Sequence, residues 1–209
     1  MTAECLGQVD PRLAMIVIPC SADKARGGMP PGAVNLPACN PALLAARARV
    51  LDAAPSDTRE LLPAWRRYQG RFYRSAGPAL TEAAQSGHVV IISGGYGVAD
   101  AGELIGWYDK VLLLSDWPAG VLESALTGHA WQAGSATVVA FAARTSDYAR
   151  LVRQTPWKDA GLSAVLVSIA GVTGGAQREV PRRLGLAFAA FWGRQHGAYP
   201  PGTTFEQLA

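Results

Sequence analysis

Short aliphatic and β-branched runs recur along the chain, and most lead through a loop into a stretch with helical spacing. Residues 14–18 (AMIVI), 89–92 (VVII), 136–143 (ATVVAFAA) and 162–170 (LSAVLVSIA) are too short and too uniformly apolar for surface helices. They fit strands buried on both faces. A shorter run at 110–114 (KVLLL) is a further strand candidate. Between these runs, residues 41–54 are rich in Ala, Leu and Arg, 77–85 and 146–154 have helical composition, and 118–131 carries Pro118 near its first turn. Residues 178–195 set Leu184, Leu186, Phe188, Phe191 and Trp192 beside Arg178, Arg182, Arg183 and Arg194, the pattern of an amphipathic helix. The alternation predicts an α/β fold with a mostly parallel central sheet and helices on both faces. At 209 residues and 49% hydrophobic the chain can bury one sizeable core, and nothing in it resembles a linker, so residues 1–209 are expected to form a single domain.

Two strand ends carry candidate chemistry. In residues 88–109, HVVIISGGYGVADAGELIGWYD, the run of four β-branched residues breaks on Ser93, Gly94 and Gly95. Gly94, Gly95 and Gly97 allow backbone conformations closed to other residues and let a ligand approach the main chain. Tyr96, Asp100, Glu103, Tyr108 and Asp109 supply donors, acceptors and charge. The same pattern also fits an ordinary strand-to-loop turn whose aromatics pack underneath. The first strand runs into Pro19, Cys20, Ser21, Ala22, Asp23 and Lys24. A thiol, a hydroxyl and an ammonium at a strand end suit an anionic or carbonyl-like ligand, whereas Cys20 taken alone also fits a small buried hydrophobe and Lys24 a solvated charge. Ligands of open α/β sheets bind at the carboxyl ends of strands, so the two loops are expected to share one rim and line one cleft.

The segment SGGYGVADAGELIGWYD resembles the S-G-x-Y-G-V…Y signature of the YaaA family, known for peroxide-stress proteins, and IVIPCSADK sits where that family has its N-terminal strand and loop. The likeness continues through residues 68–73 (YQGRFY) and 117–152, so most of the chain is covered. The Pro-Cys-x-x-x-Lys run at Pro19, Cys20 and Lys24 is also similar to the motif of the catalytic domain of archaeosine synthase, which modifies a tRNA base. The chain departs from both: it is shorter than typical YaaA proteins, and the longer archaeosine motif does not continue after Lys24. The resemblance implies either a nucleotide-directed activity or a DNA-binding role in the oxidative-stress response.

Composition narrows the classes. The formal charge of +3 arises from 19 basic and 16 acidic residues, well below that of an obligate duplex-binding module. Cys5, Cys20 and Cys39 lack CxxC spacing and nearby histidine pairs, which indicates neither a disulfide framework nor a zinc site and fits a reducing cytoplasm. Residues 1–11 show no leader pattern and no apolar run reaches membrane-spanning length, so neither export nor membrane association is expected. GxGxxG and GxxxxGKS/T are both missing, which disfavours dinucleotide and P-loop chemistry, and no cofactor or metal is expected.

Arg66, Arg67, Arg71 and Arg74 interleave with Trp65, Tyr68, Phe72 and Tyr73, a combination that binds phosphates and stacks bases, or equally an amphipathic segment with core aromatics. The glycine turn at 171–176 opens a helix with Gln177 and Arg178, where amides can receive an anion. Near Tyr148, Thr145 or Ser146 reads as a helix N-cap. The histidines, His88, His129 and His196, have no nucleophilic-triad context and read as structural.

The leading expectation is an enzyme acting at the base or N-glycosidic bond of a nucleotide, nucleoside or nucleic acid. Such a hydrolase or glycosidase needs a carboxylate, phosphate-positioning donors and an aromatic surface. Glu103 or Asp109 is the expected carboxylate, with Cys20 a further catalytic candidate. Ser21, Lys24 and Arg71 are the expected phosphate or sugar contacts, Ser93, Gly94 and Gly95 further substrate-binding residues, and Tyr73, Tyr96 or Tyr108 the stacking group. The alternative is a non-catalytic DNA-binding protein of the peroxide-stress response. A third reading is an amide or lysine transfer in which Cys20 or Lys24 is essential.

Overall fold

A computed structural model describes residues 6–31, 40–86 and 88–209; Cys5 and Cys39 lie outside them. In chain order the elements are β1 (Met15–Pro19), α1 (Pro41–Asp52), β2 (Ser56–Pro63), α2 (Ala64–Arg67), α3 (Arg71–Gln85), β3 (Val89–Ser93), β4 (Gly97–Asp100), β5 (Leu104–Tyr108), α4 (Val121–Gln132), β6 (Thr137–Phe141), α5 (Asp147–Gln154), β7 (Ser163–Ile169), α6 (Ala176–Trp192) and β8 (Thr203–Gln207). The four long apolar runs of the sequence become β1, β3, β6 and β7. They pair in parallel at the centre of a six-stranded sheet of order β4-β3-β1-β6-β7-β8, with Ile16 opposite both Val89 and Val139. The edge strands β4 and β8 run antiparallel to their neighbours, and β2 pairs with β5 in a separate two-stranded antiparallel sheet.

Strand residues point alternately to the two faces, which builds two cores from the same runs. On one face Ile16, Ile18, Ile91, Val139, Phe141 and Val167 pack with Phe72 and Leu80 of α3 and Leu184, Phe188 and Phe191 of α6. On the other, Met15, Val17, Val90, Ile92, Val138 and Leu166 pack with Leu43 of α1, Leu122 and Leu126 of α4 and Leu151 of α5. The fold is therefore α/β, with a mostly parallel sheet covered on both faces. No helix among the described residues is long and apolar enough to cross a membrane.

The departures from the sequence expectation sit where pairing, not hydrophobicity, makes the element. Residues 110–113 form an unpaired connection instead of a strand, with Leu112 buried and Val111 and Leu113 exposed, and Leu114 starts a 3-10 turn to Asp116. The strands β2, β4 and β8 carry no apolar run, and β5 (LIGWY) is broken by Gly106, so the partner strand defines them. Helix α3 begins at Arg71, six residues before its expected start, and joins two helical pieces across a kink at Gly77 (φ 47°), a left-handed conformation that glycine tolerates, followed by Pro78, which has no amide hydrogen to give.

Candidate active site

The chain passes from β1 outward to β3 and later returns to the opposite side of β1 to place β6 there. Between the carboxyl ends of β1 and β6 the connections diverge, and that divergence leaves a crevice in open α/β sheets. A cleft of about 430 Å³ lies at this point, within the size range of small-molecule sites. Its walls are Pro19, Cys20, Ser21, Ala22 and Asp23 after β1, residues 70–72 and Arg74 at the start of α3, Ala143, Ser146 and Tyr148 after β6, and Gln177, Pro181 and Leu184 on α6.

Close packing fixes the β1 side. The Cys20 amide donates to Ile92 O (2.9 Å) and Tyr73 Oη to Pro19 O (2.9 Å), which extends the sheet geometry into the loop. Asp23 O accepts from the Gln69 amide (2.9 Å), and a Cβ at Gly70 would fall 2.0 Å from Ser21 Oγ, so a larger residue there would displace the Ser21 side chain. Across the crevice, Cys20 Sγ lies 3.1 Å from Tyr148 Oη. Burial and the neighbouring thiol push the Tyr148 phenol well above its usual pKa, so it stays protonated across the physiological range as a neutral donor. Ser146 is the N-cap of α5, accepting from the Ala149 amide (3.3 Å), in agreement with the sequence. At the rim Arg71 and Arg74 are exposed, with Arg74 3.4 Å from Asp23 Oδ2. The cleft thus offers an apolar wall (Phe72, Pro181, Leu184), a thiol–phenol pair, one carboxylate and two guanidinium groups. Among the described residues no three His, Cys, Asp or Glu side chains gather as a metal site.

The β3 loop does not line this cleft. Ser93, Gly94, Gly95 and Tyr96 are buried, and their own chain fills the space that the glycines open. A Cβ at Gly94 would lie 2.4 Å from Lys110 O, and one at Gly95 2.7 Å from the Tyr108 ring. Gly97 takes φ 68° against Trp117 and Leu122. Ser93 Oγ, Tyr68 Oη and Tyr108 Oη close a buried ring of hydroxyl contacts at 2.8–3.1 Å, and Ser93 Oγ also accepts the Tyr96 amide (2.9 Å). Tyr96 Oη accepts from the Gly106 amide (2.8 Å). Tyr73, Tyr96 and Tyr108, the expected stacking residues, are therefore core aromatics whose faces meet other side chains. Lys24 lies between the two loops, its Nζ 4.3 Å from the centre of the Tyr108 ring, and burial lowers its pKa against the opposing charges of Cys20 and Asp109.

The expected carboxylates also sit apart from the cleft. Glu103 forms a buried ion pair with Arg47 (2.7 Å), and Arg47 in turn donates to Tyr96 O (2.6 Å) and to the Val98 carbonyl. Burial outweighs the Arg47 charge and pushes the Glu103 carboxyl up. Asp109 is exposed, its amide held by Pro55 O (2.8 Å), and does not line the cleft. The arginine–aromatic segment divides as well: Arg66, Arg71 and Arg74 face solvent, while Arg67 is fully buried and donates to the carbonyls of Ala25, Gly27, Glu60 and Ile105 at 2.7–3.1 Å.

Of the residues singled out in the sequence, the structure brings Cys20, Ser21 and Arg71 to the cleft. It also brings there Asp23 of the same β1 loop, Arg74 of the arginine–aromatic segment and Gln177 at the start of α6, and it adds Tyr148, to which the sequence had given no role. The signal for Tyr148 and Gln177 was present, since each follows a strand end where a new helix starts. No protein-family model matches the chain, and no curated protein matches it significantly.

Proposed function

We propose that this chain is a YaaA-like cytoplasmic enzyme acting at the base or N-glycosidic bond of a nucleotide or nucleoside, with the cleft between β1 and β6 as its site. The observation that carries the reading is a nucleotide-sized cleft at the sheet's switch point, with one apolar wall and two exposed guanidinium groups at its rim. A base packs on Phe72, Pro181 and Leu184, and a phosphate meets Arg71 and Arg74. Asp23 takes the place expected for Glu103 or Asp109, because it is the carboxylate that lines the cleft. In glycosidic cleavage it stabilises the oxocarbenium-like centre or activates water, while the protonated Tyr148 phenol orients the leaving base.

The test is base release from nucleoside monophosphates, nucleosides and single-stranded DNA. Asp23→Asn is expected to lower turnover by about 10²-fold or more with substrate binding retained, and Glu103→Gln and Asp109→Asn to leave the chemical step intact. The enzymatic reading falls if wild-type protein yields no modified product from any substrate. A second reading, a non-catalytic DNA-binding protein of the peroxide-stress response, is favoured by the exposed guanidinium groups of Arg66, Arg71, Arg74 and Arg144. It calls for DNA affinity that falls steeply with salt and yields no product.

A further inference from the structure

Beyond the switch-point cleft, a second and more open depression of about 550 Å³ follows the β6–α5 connection. Arg144, Thr145, Ser146, Arg150, Arg153 and Gln154 line it. Three arginines, two hydroxyl side chains and an amide side chain line this groove, and no carboxylate is among its described lining residues. Arg153 is held in place, bidentate on Glu206 (2.8–3.2 Å) and donating to Arg144 O (2.8 Å), and Arg150 is tethered to Asp147 (2.6 Å). Arg144 is exposed and forms no ion pair among the described residues. Ser146 lines both depressions.

A wall of donors with pre-positioned guanidinium groups is complementary to a multi-oxygen anion. Sharing Ser146 as a wall residue, the groove adjoins the cleft. Resting on the nucleotide reading above, we propose that this groove is a second anion subsite, taking a phosphate of the ligand other than the one met by Arg71 and Arg74. The preferred ligand then carries at least two phosphate groups, either in a polyphosphate tail or through a phosphodiester to a neighbouring nucleotide.

Isothermal titration of wild-type protein and an Arg144→Gln/Arg150→Gln variant, both exposed positions, separates the possibilities. The probes are inorganic pyrophosphate, a nucleoside monophosphate, the matching triphosphate and the matching 5′-phosphorylated dinucleotide. The variant is expected to bind the monophosphate as wild type does and to lose about tenfold or more in affinity for the triphosphate or the 5′-phosphorylated dinucleotide, since each lost charge-assisted contact is worth that much. Loss confined to the triphosphate identifies a polyphosphate tail, and loss confined to the dinucleotide a phosphodiester. Equal affinities of wild type and variant for every probe overturn the subsite while leaving the nucleotide reading intact. Pyrophosphate binding that depends on the two arginines, with no binding of any nucleoside-bearing probe, keeps the subsite and overturns the nucleotide reading.

Discussion

The loops after β1 and β3 begin alike, each a buried aliphatic strand breaking into small and polar residues at the same rim of the sheet, and they end in opposite environments. After β1 the chain passes Cys20, Ser21 and Asp23 along an open cleft. After β3 it turns straight back into β4, and residues 108–112 close over Gly94 and Gly95. A glycine-rich turn reports that something approaches the backbone closely, and here that something is the protein's own chain. Polar side chains in the β3 loop are correspondingly satisfied from within, Ser93 by Tyr68 and Tyr108 and Glu103 by Arg47, whereas those after β1 keep capacity for a ligand.

If the β3 loop is structural, substitutions there must cost stability and those at the cleft must not. The largest effect is expected for Arg47→Met, which leaves Glu103 buried without its partner and strips donors from the Tyr96 and Val98 carbonyls. Breaking such a pair costs about 3–5 kcal/mol, read as a lowered midpoint in urea unfolding. Next comes Gly94→Ala, whose Cβ meets backbone at Lys110 and Val111 that has no rotamer to yield; overpacking of this kind costs about 1–3 kcal/mol. A Gly94→Ala protein with wild-type stability but impaired ligand binding would return this turn to the list of sites.

At the cleft, Arg71→Ala is expected to change stability by less than ~0.5 kcal/mol, as for other exposed side chains. Calorimetry with a nucleoside monophosphate should nevertheless show weakened binding, and a large fall in melting temperature would assign Arg71 to the fold instead. The smallest effect concerns Lys24, which stands between the loops. Its folded pKa lies below the ordinary 10.5, so between the two values the unfolded chain holds more protons and stability rises with pH; below that window the half-buried ammonium opposes folding. Lys24→Met should flatten that alkaline rise in a stability–pH profile, and an unchanged profile would show that burial does not govern this ammonium.

The central sheet was legible in the sequence because a strand buried on both faces has to be apolar at every position, and 14–18, 89–92, 136–143 and 162–170 announce themselves without knowledge of any partner. Most helices were legible for the same local reason, with Ser146 one of two N-cap candidates, but the short α2 and the first turns of α3 were not. Strands such as β2 and β8 were not, because exposed polar residues take extended form only when a neighbour supplies hydrogen bonds. Residue types settled which chemistry the chain could carry, including the thiol at Cys20, the hydroxyl at Ser21 and the guanidinium at Arg71. Which of those groups face an opening was decided by tertiary structure alone. The switch point brings Tyr148 within 3.1 Å of Cys20, 128 positions apart in the chain, and the fold of residues 93–112 back on themselves hides Tyr108 and Glu103. A composition rich in glycine and tyrosine is equally consistent with a pocket and with a sealed turn. The difference lies in long-range packing, which no local pattern contains.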